Sequence, residues 1–218
     1  MVNSHTKPDF SHIALLTVDM QRAFLPGGTA SRPENVPVVK SMALLAGAFR
    51  AKNLPVVHIV RIYDPASGDI DRCRRKMVEE GRNYLKPGSE DVQIALEILA
   101  CDARLDTELL LDGRIQTIGE REYVIYKPRF GAFYRTPLEN HLHSLEVNTL
   151  AVAGSNFPNC PRATIYEAAD RDFKLVVARD SVSLIDDTGV NQLEAIGATV
   201  CTAHDLARSI EKLLESSI

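Results

Sequence analysis

Six short runs rich in apolar residues, Ile13–Met20, Leu54–Ile62, Glu122–Lys127, Val147–Ala153, Lys174–Ala178 and Thr199–Thr202, alternate along the chain with stretches of helical spacing. Near-continuous rather than alternating hydrophobicity marks strands buried on both faces, the condition of a parallel sheet covered by helices. The intervening stretches supply that cover. Between the first two runs, Val39, Met42, Ala43, Leu45, Ala46 and Phe49 recur at three- and four-residue spacing and predict an amphipathic helix over Val38–Lys52. The pattern predicts an α/β fold, a three-layer α/β/α Rossmann-like sandwich around a mainly parallel sheet of about six strands. At 218 residues the chain is long enough for one full core, so a single domain over 1–218 is expected. Within it, residues 63–121 read as a crossover carrying an insertion or lid, with a helix over Glu90–Ala100.

Ligands of such sheets bind beyond the carboxyl ends of the strands, so the residues that close the runs carry the functional information. Asp19 closes the first run, Lys127 closes the third, and the fourth stops at Gly154 in VNTLAVAGSNFPNCPRAT, which leads through a short loop to Cys160. Helical spacing follows from Arg162, with Pro161 at a first-turn position where a missing N–H costs nothing. A cysteine at a strand-to-helix junction meets unpaired N–H groups and the positive end of the helix dipole, and the expectation is a stabilised thiolate. Taken singly, each residue has a plainer reading: a structural cysteine buried at a helix start, an aspartate capping a turn, a lysine in a structural ion pair. Together on one sheet edge, a carboxylate, an ammonium and a thiol make an activated nucleophile.

The net charge of −4 and the lack of a long basic stripe argue against a nucleic-acid partner. The one basic cluster, Arg72, Arg74, Arg75 and Lys76, reads as a solvated face, the alternative being an anion-attracting rim. Cysteines 73, 101, 160 and 201 form no CxxC pair and no regular spacing, which argues against a disulfide framework and against zinc, and favours a reducing compartment. The opening MVNSHTKPDFSH has no apolar h-region and no window approaches a membrane span, so a cytoplasmic protein is expected.

Three blocks in order, LLTVDMQRAFLPGG, VIYKPRFGAFYRTPL and LAVAGSNFPNCPRATIYEAADRDFKLVVARDSVS, resemble the isochorismatase-like cysteine hydrolase superfamily over nearly the whole length. The resemblance implies Cys160 as nucleophile, Asp19 as general base and Lys127 as electrostatic partner. It further implies a cis peptide at Ser155–Asn156, an oxyanion hole from the N–H groups of Asn156 and Cys160, and dimers or tetramers of the chain. A retained Cys160 favours hydrolysis of a C–N bond of a small amide, ureido or carbamoyl compound, with a non-catalytic binding or scaffold member as the alternative. Phe24, Arg61, Tyr134 and Phe157 are the expected substrate-binding residues, with Arg61 or Arg129 holding an anionic group. His58, inside the second run, is the lone histidine near the place where metal-dependent relatives carry a ligand set and reads as core or strand edge, so no metal and no cofactor are expected.

Overall fold

The computed structural model describes residues 3–82 and 84–214, so that residues 1–2, 83 and 215–218 of the expected domain lie outside it. The first apolar run forms β1 (Ile13–Val18), all six residues buried. Its alternation sorts them by face: Ile13 and Leu15 join one apolar layer, while Ala14, Leu16 and Val18 join the other. The remaining strands are β2 (Val56–Val60), β3 (Gln116–Gly119), β4 (Glu122–Tyr126), β5 (Thr149–Gly154), β6 (Lys174–Val182) and β7 (Thr199–Cys201), in the order β3-β4-β2-β1-β5-β6-β7. All neighbours are parallel except β3 and β4, which are antiparallel. The sheet therefore has seven strands rather than six. The unexpected one, β3, is a half-exposed edge strand with too little apolar content to register as a buried run.

On one face, α1 (Asn35–Ala51) packs near the C-terminal α7 (Ala203–Glu211) through Leu45, Phe49, Leu206 and Ile210. On the other lie α4 (Leu138–Ser144), α5 (Cys160–Ala169) and α6 (Asp187–Ala195), contributing Leu142, Ile165 and Leu193. This is the expected α/β/α sandwich. The segment after β2 holds two short helices, α2 (Arg72–Glu79) and α3 (Thr107–Leu111). The helix expected over Glu90–Ala100 is absent apart from a 3-10 turn at Leu96–Ile98. Its backbone is engaged elsewhere: Arg22 N–H donates to Gln93 O (2.7 Å) and Ala95 N–H to Met20 O (3.0 Å). Gln21, fully buried, stitches the same segment to the end of β2 by donating to Val92 O and Arg61 O and accepting from Arg61 N–H. Among the described residues no helix is long and apolar enough to cross a membrane.

His58 belongs to a polar network buried under α1. Thr17 Oγ1 lies 2.7 Å from His58 Nδ1, His58 Nε2 lies 2.8 Å from Glu122 Oε1, and Arg50 grips the same carboxylate. Burial pushes the His58 imidazole below its usual range, so the neutral ring donates from Nε2 and accepts from Thr17 at Nδ1. Burial acting alone raises Glu122, but hydrogen bonds from Arg50 and His58 outweigh it and hold the carboxyl at about 2. A depressed carboxyl stabilises the fold above its unfolded value of 4.5 and loses that contribution as pH falls toward 2. Glu122→Gln is accordingly expected to cost about 3 kcal/mol at pH 7. In urea unfolding at a series of pH values, its gap to the wild type should narrow between about 4.5 and 2.

Candidate active site

Parallel strands end at one edge, and four adjacent ends bring the candidate residues together. In spatial order these are Lys127 after β4, Arg61 after β2, Asp19 after β1, and the loop carrying Cys160 after β5. The chain leaves β1 for β2 on one side and returns to β5 on the other, so the site lies at a topological switch point. Asp19 adopts φ 53°, a left-handed conformation that aspartate tolerates better than most residues, and its N–H donates to Ile59 O at 2.9 Å. Lys127 stands two strands from Asp19, about 10 Å at ordinary strand spacing, so only a long side chain bridges the gap. Its ammonium, wholly buried, reaches Asp19 Oδ2 at 2.9 Å and Arg129 O at 3.2 Å.

Beyond β5 the chain turns at Gly154 (φ 147°), passes a cis peptide at Ser155–Asn156, and enters α5 at Cys160 with Pro161 in its first turn. The loop is pinned by Ser155 N–H to Val18 O, Phe157 N–H to Ser183 O and Asn159 N–H to Asn156 O. The amides of Asn156 and Cys160 make no such bond among the described residues and remain as two donors beside the thiol. The Cys160 thiol is pushed up to about 11, first by burial and then by the Asp19 charge, while Lys127 and Arg61 pull the other way. A resting thiolate is therefore not what the helix start produces, because burial in front of a carboxylate outweighs the dipole. Asp19 accepts from Lys127 at Oδ2. Its Oδ1 has no hydrogen-bond partner among the described residues and is the acceptor open to the thiol proton.

Asp19, Arg61, Asn156, Asn159 and Cys160 line one pocket, about 420 Å3 of empty space including its mouth, together with Phe24, Tyr63, Tyr84, Leu85 and Phe130. Phe24 and Arg61 thus share the pocket with Cys160, whereas Tyr134 and Phe157 do not. Tyr134 is half-exposed and stands against Arg129. Phe157 is buried beneath the loop, where a Cβ on Gly189 would come within 2.5 Å of its ring. Arg61 donates from one nitrogen to both oxygens of Asp71 (3.2 and 3.1 Å) and to Pro128 O (2.6 Å). Arg129 pairs with Asp69 at 2.7 Å, so both arginines expected to hold an anion are already matched. Sequence reasoning missed Arg32, Tyr63 and Tyr84, which reach the pocket from segments read as loop, and held an anion-attracting role for the cluster containing Arg74 only as the alternative. Among the described residues no group of His, Cys, Asp and Glu is placed to hold a metal ion.

Known proteins resemble this chain in sequence and fold. A probable inactive nicotinamidase of Arabidopsis thaliana is 27% identical over 203 residues, covering 90% of this chain and 95% of that protein. A ureidoacrylate amidohydrolase of Methylobacterium radiotolerans is 29% identical over 182 residues, covering 77% of this chain and 65% of that protein, a little under two thirds of its length. The crystal structure of N-carbamoylsarcosine amidase from Thermoplasma acidophilum superposes with a TM-score of 0.68 at 25% identity, covering 88% of this chain and 96% of that one. Residues 13–205 match the isochorismatase domain. With the sheet, the switch-point site and this match together, the chain belongs to the isochorismatase family.

Proposed function

We propose that the protein hydrolyses a C–N bond in a small amide, ureido or carbamoyl compound through a thioester on Cys160. One observation carries the reading: Asp19 is held on one oxygen by the buried Lys127 and shares a pocket with the Cys160 thiol, toward which its other oxygen is uncommitted. In the first half-reaction the thiol proton passes to Asp19 as sulfur bonds to the carbonyl carbon, because a thiol raised to about 11 does not ionise beforehand at neutral pH. The amides of Asn156 and Cys160 receive the developing oxyanion. The C–N bond then breaks, the leaving nitrogen takes the proton from Asp19, and ammonia or an amine departs. Water attacks the thioester and gives its proton to Asp19, the C–S bond breaks, and the thiolate recovers that proton. Lys127 holds Asp19 in place throughout by its hydrogen bond to Oδ2. The relatives named as a ureidoacrylate amidohydrolase and an N-carbamoylsarcosine amidase support this bond class. The same reading takes the protein as a cytoplasmic homodimer or homotetramer working without metal or cofactor.

The relative named as a probable inactive nicotinamidase favours a second reading, a binding or scaffold member that keeps the pocket without turnover. Ammonia release from a panel of amides, ureido acids and carbamoyl compounds separates the two. Turnover abolished by Cys160→Ala, with binding retained, is the expected result. Binding without ammonia release by the wild type would favour the scaffold. Simple alkylation of the resting protein is a poor substitute, since Cys73 and Cys101 are exposed while Cys160 is buried and protonated.

A further inference from the structure

Charge matching in the pocket leaves one cation over. Asp19 is neutralised by Lys127 and Arg61 by Asp71, and Arg32 lies 4.0 Å from Glu34. Arg74 lines the same pocket and has no ion pair among the described residues, and its Nε is buried without a hydrogen-bond partner. The guanidinium lies within the electrostatic reach of Tyr84 and Tyr63, which also line the pocket, and of Asp71, whose carboxylate is gripped by Arg61. Its neighbours on α2 behave differently: Arg72, Arg75 and Lys76 are exposed, and only Arg74 turns inward. A buried donor without a partner is costly and is satisfied by whatever occupies the space beside it.

We infer that Arg74 is the anion-binding residue of this pocket and that the substrate is a small monocarboxylate carrying its scissile C–N group at the other end. The inference rests on the hydrolase reading for the identity of that group, and on Arg74 alone for the charge. A single guanidinium without an ion pair of its own matches one negative charge, whereas a phosphate dianion would leave the pocket over-neutralised. The planar fork of arginine also suits a carboxylate in a bidentate grip. Arg74 comes from the segment after β2, so the part of the chain that closes the pocket also selects for charge.

Calorimetry on the full-length Cys160→Ala protein tests this without turnover. The probes are ureidoacetate and 3-ureidopropanoate, each against its own neutral primary amide. At least one acid is expected to bind about tenfold or more tightly than its amide, as a charge-assisted pair implies. Arg74→Gln in the same background should bring that ratio close to one, and Arg74→Lys, which keeps the charge but loses the fork, should preserve part of it. Acids that bind no better than amides, a preference that survives Arg74→Gln, or no binding of either acid would each overturn the inference. Ammonia release by the wild type keeps the two readings apart. Hydrolysis of the amides without preference for the acids retains the hydrolase and removes the role of Arg74. Selective binding of the acids without ammonia does the reverse.

Discussion

Asp19→Asn is expected to lower kcat/KM for ammonia release by about a thousandfold while making Cys160 more, not less, reactive toward iodoacetamide. The two effects diverge because Asp19 plays opposite parts in the two reactions. In the resting protein its charge is among the causes that raise the thiol to about 11, and removing it leaves burial opposed by Lys127 and Arg61. The thiol must therefore fall from its wild-type value, and each unit of fall multiplies the thiolate population about tenfold at a given pH below it. Turnover gains nothing from this, since the leaving nitrogen still needs a proton and the water of the second half-reaction still needs a base. On the proposed mechanism the wild type carries the proton internally, so its activity at neutral pH is not expected to wait for the thiol to ionise. In the variant the residual rate should climb about tenfold per pH unit until the thiol titrates. Peptide-mapped labelling at pH 8 beside ammonia release from pH 6 to 10 gives both readouts. Labelling of Cys160 that falls in step with turnover would mean that Asp19 serves the thiol only as a structural support.

Asp19, Lys127 and Cys160 were legible for a reason that lies in the fold. Parallel strands buried on both faces make uninterrupted apolar runs, and the residue that ends such a run sits on the ligand-binding edge whatever the loops do. Residues that come to the site from loops had no such marker. Arg74 sits in a basic run whose other members are solvated, and a single sequence does not reveal which of four cations turns inward. The segment Glu90–Ala100 shows how tertiary pairing overrides local pattern. Val92, Ile94, Ala95, Ile98 and Leu99 have helical spacing, yet Gln21 forms a bridge with Ile94 and the residues around it donate to or accept from this backbone. His58 read correctly as part of the core, but its partners Glu122 and Arg50 are 64 residues away and 8 residues back, joined only by β2–β4 pairing and the packing of α1. Phe157, in the loop before Cys160, is among the expected substrate-binding residues. Its side chain instead anchors the loop against Gly189, where a larger residue has no room.

The strongest structural constraint on the site lies one strand away from its chemistry. Gly154→Ala is expected to cost about 4 kcal/mol, the range reached only when a substitution breaks a specific feature of the fold. At Gly154 the backbone has φ 147°, a conformation that side-chain-bearing residues rarely adopt. A Cβ there would lie 2.2 Å from Val18 O and 2.9 Å from Val18 Cα. Those atoms cannot yield cheaply, because Val18 and Gly154 are register partners in the central β1–β5 pair and Val18 O accepts the Ser155 N–H. Relief of the clash must spread β1 from β5, and Asp19 is the next residue after Val18, while Asn156 follows Ser155. The carboxylate and the first oxyanion donor would therefore move apart together, so turnover should be lost even at temperatures where the variant remains folded. Gly47→Ala is the matched control. It lies on the exposed side of α1, where an added Cβ would meet no atom within 4 Å, and replacing a helical glycine there should stabilise by about 0.5–1 kcal/mol. Urea unfolding of both variants at pH 7 reads the contrast. A loss at Gly154 below about 1 kcal/mol, within the ordinary spread of single substitutions, would mean that β1 and β5 can separate without consequence and that the loop is not held by their contact.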